Sequence, residues 1–138
     1  MSKQKNEDLQ KKYLELQIII QQINEVQQQL PNIQNQVLEL RSLKENITSL
    51  KEIKENTESF TPIGYNIFTK AKLQNTNELL VNVGANIFVI KTVEEAKELI
   101  DTQIEEIQNI IKELENKLVG LENSGQVIQS EILRDTNK

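Results

Sequence analysis

The 138-residue chain contains no cysteine, no histidine and no tryptophan. Without cysteine there is no disulfide framework and no thiolate zinc site, a composition that fits a reducing compartment. Without histidine or cysteine, neither a Ser-His-Asp nor a Cys-His arrangement can be built. The six serines are scattered, none in a G-x-S-x-G turn, and no G-x-x-x-x-G-K-[ST] phosphate loop occurs. Aromatics make up 4% of the chain, too few for a large globular core. Long apolar runs are missing as well. Ile18-Ile19-Ile20 falls far short of the ~20 residues that a membrane-spanning helix needs. The charged start of the chain has no apolar leader with a small-residue cleavage site, so no signal peptide is expected. A net charge of −5 lacks the basic footprint of a general nucleic-acid binder. Carboxylates are plentiful but sit at helix positions with lysines nearby, rather than converging as a metal site requires. We expect no enzyme chemistry, no metal and no cofactor.

Asparagine and glutamine together number 30 residues, more than a fifth of the chain, and are interleaved with apolar residues at helical spacing. Solvated helix faces tolerate glutamine at little cost. Residues 1–5 are expected to lack order, with Asn6 as the N-cap of a first helix. From there an apolar ladder runs Leu9, Tyr13, Leu16, Ile20, Ile23, Val26, Leu30, Ile33, Val37, Leu40, Leu43, Ile47, Leu50, Ile53. Steps of three and four are the seam spacing of a coiled coil. Consecutive three-steps at Ile20-Ile23-Val26, Val37-Leu40-Leu43 and Ile47-Leu50-Ile53 should overwind it locally. The helix is expected to end near Asn56 and Thr57, after roughly 70–75 Å.

The next stretch does not read as helix. Ile63-Gly64-Tyr65-Asn66-Ile67-Phe68 recurs as Val83-Gly84-Ala85-Asn86-Ile87-Phe88. In each copy a Gly and an Asn, which tolerate φ > 0, stand before a run of β-formers. The pattern predicts two tandem β-hairpins, over about 60–73 and 79–91, joined by a polar loop. The last strand, Ile87-Phe88-Val89-Ile90, is apolar on both faces and needs cover that two hairpins cannot supply. Ile67, Phe68, Ile87, Phe88, Val89 and Ile90 are therefore expected in an interface between subunits.

Thr92-Val93-Glu94-Glu95 is a capping box that starts a second long helix. Its ladder is Val93, Ala96, Ile100, Ile104, Ile107, Ile111, Leu114, Leu118, Leu121, Gly125, Ile128, Ile132. The expected class is α+β. Two helices pair as an antiparallel coiled coil, joined by two tandem β-hairpins that assemble into an intersubunit β-barrel. The chain reads as a single domain over 1–138, with helices over about 6–57 and 92–135 and the hairpin unit over 58–91. Pairing that begins near Asn56 and Val93 makes level positions sum to about 149, which sets Pro31 opposite Leu118 and Gly120 opposite Gln29. Two helix-weakening residues at one level predict a joint.

The motifs Pro62-Ile63-Gly64, Phe68-Thr69-Lys70-Ala71-Lys72-Leu73, Leu80-Val81-Asn82-Val83-Gly84-Ala85-Asn86-Ile87-Phe88-Val89 and Lys91-Thr92-Val93-Glu94-Glu95-Ala96 resemble the α class of the prefoldin family. The resemblance covers about 35 residues of motif. Beyond them the helices match only in length and heptad pattern. Pro31 and the glutamine-rich tract before it depart from the family pattern. The resemblance implies an ATP-independent chaperone subunit of the cytoplasm. Its hairpins would join those of β-class subunits in an α2β4 hexamer with a double-barrel platform. Coiled-coil tips would hold unfolded proteins and pass them to a group II chaperonin. Apolar residues that the seam does not use are candidates for that contact: Leu14, Ile18 and Ile19 in the first helix, and Val119, Val127 and Leu133 in the second. Tyr13, Leu16, Ile128 and Ile132 join them at the same end. Two other readings remain open, a filament-forming relative that assembles from this chain alone and a coiled-coil tether.

Overall fold

The computed structural model describes residues 2–137. Its elements run helix α1 (Ser2–Leu50), strands β1 (Thr57–Gly64), β2 (Ile67–Leu73), β3 (Glu78–Asn82) and β4 (Phe88–Thr92), and helix α2 (Val93–Thr136). The α+β class and the order of elements are those predicted. The bounds of α1 differ at both of its ends, and residues 2–5, expected to lack order, are helical. Asn6 lies inside α1 rather than capping it, because the preceding Lys3, Gln4 and Lys5 are good helix formers.

Helix α1 also stops at Leu50, short of Asn56. The hydroxyls of Thr48 and Ser49 donate to the carbonyls of Lys44 and Glu45 (2.8 and 3.1 Å), local bonds that weaken a helix. The amides of Lys51, Glu52 and Ile53 then donate to carbonyls three residues back, a 3₁₀-type tightening. Asn56 turns the chain at φ 66°, and its amide donates to the Leu73 carbonyl at 2.6 Å, closing the base of the first hairpin. Ile53 therefore lies outside the helix whose seam it was expected to extend.

The two hairpins form separate two-stranded antiparallel sheets, β1–β2 and β3–β4. Thr57 pairs with Leu73 and Pro62 with Phe68, and a bulge follows between Pro62 and Gly64. Glu78 pairs with Thr92 and Asn82 with Phe88. At both tips two consecutive residues take positive φ: Tyr65 and Asn66 at 44° and 62°, Ala85 and Asn86 at 51° and 59°. Two left-handed residues in succession are the hallmark of the primed turn whose twist matches the flanking strands. In the second turn the Asn82 side-chain oxygen also accepts from the Gly84 amide at 2.9 Å.

Helix α2 begins as its sequence predicts. The Thr92 hydroxyl accepts from the Glu95 amide (3.1 Å), and the Glu95 carboxylate accepts from the Thr92 amide (3.4 Å). The Thr92 backbone and hydroxyl, together with Lys91 nearby, hold the Glu95 carboxyl below the ordinary glutamate value. The chain divides into two compact units. One holds the residues up to Gln36 together with those from Ile107 onward; the other is Val37–Glu106.

Candidate functional site

The packed positions of α1 are Leu9, Lys12, Leu16, Ile19, Ile23, Val26, Leu30, Ile33, Val37, Leu40, Lys44, Ile47 and Leu50; every other described position of the helix is exposed. From Leu9 to Ile47 the steps alternate strictly between three and four, an unbroken heptad stripe. This corrects the predicted ladder at three helical positions. Tyr13, Ile20 and Leu43 are exposed by about half, and Lys12, Ile19 and Lys44 hold the seam near them. Reassigning Ile20 to Ile19 and Leu43 to Lys44 removes two of the three predicted overwound stretches, and the third, Ile47-Leu50-Ile53, runs past the end of α1 at Leu50. The ladder of α2 is as predicted, each member buried or half-buried from Val93 to Ile132.

The two lysines reach the seam because α2 supplies their counterions. In the unit that carries the chain ends, Lys12 Nζ donates to Asp135 Oδ2 at 2.8 Å and lies 3.8 Å from Glu131. The hydrogen bond to Asp135, and then the charges of Asp135 and Glu131, raise the Lys12 ammonium above its ordinary value against burial and Arg134. In the other unit Lys44 Nζ donates to Asp101 Oδ1 at 2.7 Å. Lys51 pairs with Glu94.

These pairs also correct the register. In the chain-end unit Lys12 meets Glu131 and Asp135, and Gly125 faces Ile19 and Leu16, so level positions sum to 141–147 rather than 149. Pro31 then lies level with residues 110–116 and Gly120 with residues 21–27, at least one helical turn apart. The expected joint, with both residues at one level, is not present. The difference arises because α1 ends earlier than predicted, which moves the point where pairing begins.

Of the residues predicted to bind other chains, Tyr13, Leu14, Ile18, Val127 and Leu133 are exposed on the chain-end unit. Leu14 and Ile18 are one turn apart and therefore neighbours on the helix surface. Leu16, Ile19, Ile128 and Ile132 lie in the seam instead, Ile132 being only 5% exposed. Leu16, Ile128 and Ile132 already stood in the predicted ladders, whereas Ile19, expected off the seam, packs against the facing helix as well. Ile20, missed as a surface residue, joins the exposed group. A Cβ at Gly125 would stand 3.5 Å from Ile19 Cγ2 and 3.9 Å from Leu16 Cδ1, ordinary van der Waals distances. Gly125→Ala is therefore expected to stabilise the chain by about 1 kcal/mol, read as a higher urea midpoint. A lower midpoint would show that the seam needs the bare backbone there.

The hairpins present a second apolar surface. Leu79 and Val81 are half-buried, and with Leu43, Ile47, Ala96 and Ile100 they border a cavity of about 760 Å³. On the opposite face Leu80, Phe88 and Ile90 are 68%, 56% and 65% exposed. In the first hairpin Ala71 and Leu73 are half-buried, while Phe60 and Phe68 on the alternate face are open. Ile67 and Ile87 are also exposed, and Val89 is 38% exposed. Each hairpin thus has one face partly covered by its own chain and one apolar face uncovered. Among the described residues no group of three or more acidic residues is placed to hold a metal ion. No described helix is long and apolar enough to cross a membrane.

Comparison with known proteins points one way. The prefoldin subunit family profile matches residues 19–138. A prefoldin subunit alpha of Methanococcus vannielii is 31% identical over 88% of this chain and 93% of its own length. One of Methanopyrus kandleri is 33% identical over 86% and 78%. The cryo-EM structure of a filamentous PFD from Methanocaldococcus jannaschii superposes with a TM-score of 0.77 at 22% identity, covering 85% of this chain and 97% of that one.

Proposed function

Because the chain belongs to the prefoldin family, whose members are chaperone subunits rather than enzymes, we propose that it is an α-class subunit that holds unfolded proteins without ATP. It acts as a single prefoldin-like domain within a cytoplasmic α2β4 hexamer and passes clients to a group II chaperonin. The exposed apolar side chains of the hairpins support the assembly: Phe68, Phe88 and Ile90 on the uncovered faces, with Ile67, Ile87 and Val89 also open, are the residues that β-class subunits would cover.

The observation that carries the client reading is the group of large apolar side chains left open where the chain ends lie. Tyr13, Leu14, Ile18, Val127 and Leu133 are not consumed by the seam. Exposed apolar surface of this kind is costly to a protein that does not use it. The replacement of Tyr13, Leu14 and Ile18 together by Ser tests this, since none of the three is a packed position. The triple variant is expected to keep its oligomer mass and to lose most of its suppression of client aggregation. Undiminished suppression would remove these residues from the binding surface.

A further inference from the structure

We propose that Lys12 and Lys44 are the residues that decide what α1 pairs with, admitting α2 of the same chain and excluding a second copy of α1. The unbroken heptad stripe of α1 is what a parallel two-stranded coiled coil requires, so α1 is competent to pair with its own copy. In a parallel, in-register pair of identical helices each seam residue meets itself. Lys12 would face Lys12, and Lys44 would face Lys44. Against α2 both lysines instead meet carboxylates, Lys12 at 2.8 Å from Asp135 and Lys44 at 2.7 Å from Asp101. A seam lysine gives up the burial that leucine would contribute there. Its use is selectivity: the wrong partner is penalised by like charge and the right one is not.

The two lysines do not share the task equally. With the stripe read as alternating a and d positions from Leu9, Lys12 is at d and Lys44 at a, and the e and g positions beside Lys44 are Arg41, Leu43 and Thr48, so another α1 offers it no carboxylate. Those flanking Lys12 include Asp8 and Glu15, which soften the repulsion. Lys44 therefore supplies the larger share.

The chain has no cysteine, so a single introduced thiol reports pairing without background. Ile23→Cys, a seam position, is placed in the full-length chain in three backgrounds. These are the parent, Lys12→Leu with Lys44→Leu, and a charge exchange combining Lys44→Asp with Asp101→Lys. Each is refolded from denaturant at one concentration in a glutathione redox buffer, and disulfide-linked dimer is measured. The double leucine chain is expected to give about tenfold more linked dimer than the parent, the scale of a like-charge penalty. The exchanged chain is expected to stay at the parent level, because two facing carboxylates introduced by Lys44→Asp repel as two lysines do. No increase in the leucine chain overturns the proposal. So does an exchanged chain that links as readily as the leucine chain.

Discussion

Phe88→Asp is expected to dissociate the assembly while leaving both helices folded. Phe88 stands on the uncovered face of the second hairpin with Leu80 and Ile90, opposite Asn82 in the β3–β4 register. The other face, bearing Leu79 and Val81, already borders the chain's own helices. A charge at Phe88 therefore falls on surface that the chain itself leaves uncovered. Burial of one such side chain contributes roughly 1.5–3 kcal/mol, and an unpaired carboxylate in its place adds a desolvation cost. Mass photometry of the chain mixed with a β-class subunit should show a hexamer for wild type and separate subunits for the variant, at unchanged helical circular dichroism. A variant of unchanged mass would place the interface elsewhere. A long homopolymer of the wild-type chain alone would favour the filament-forming reading instead.

The second large effect is expected at Pro31. Helix α1 runs through it without interruption. The ring removes the amide that would bond the Gln27 carbonyl and crowds that same carbonyl, at a cost of about 3 kcal/mol in a helix interior. The side chain of Pro31 is exposed, so its burial does little to offset this. Pro31→Ala restores the hydrogen bond and removes the clash. For a chain of this size the thermal midpoint should rise by about 10 °C. Amide exchange should show the cause locally: amides just before Pro31 should exchange faster than those around Ile23 in wild type, and the variant should lose the contrast. An unchanged midpoint with uniform exchange would mean that the flanking turns already satisfy the freed carbonyl. Gly120, a turn or more away in level, is not part of this effect.

Much of this protein was legible in the order of its residues, for reasons that are local. The turn residues Gly64, Asn66, Gly84 and Asn86 mark both hairpins, because left-handed backbone excludes most side chains. Thr92 and Glu95 mark the start of α2, because a capping box is satisfied by atoms three residues apart. The α2 seam could be read in full, since every position in it is apolar or Gly. What sequence could not supply were the features that depend on a partner brought from far along the chain. The α1 seam passes through Lys12 and Lys44, and a hydropathy ladder steps aside to Tyr13 and Leu43. Only Asp135, Glu131 and Asp101, a hundred or more and some fifty residues away, make a lysine tolerable there. The register followed from the same distant pairs and from the early end of α1. Positive φ at Tyr65 and Ala85 has no signal in those residue types, whose side chains disfavour it; the closed hairpin imposes it. Which apolar residues are surface and which are seam was likewise decided by tertiary packing. Adjacent isoleucines at 18 and 19 are chemically identical, and only the facing helix, with Gly125 against Ile19, sets one inside and leaves the other in water.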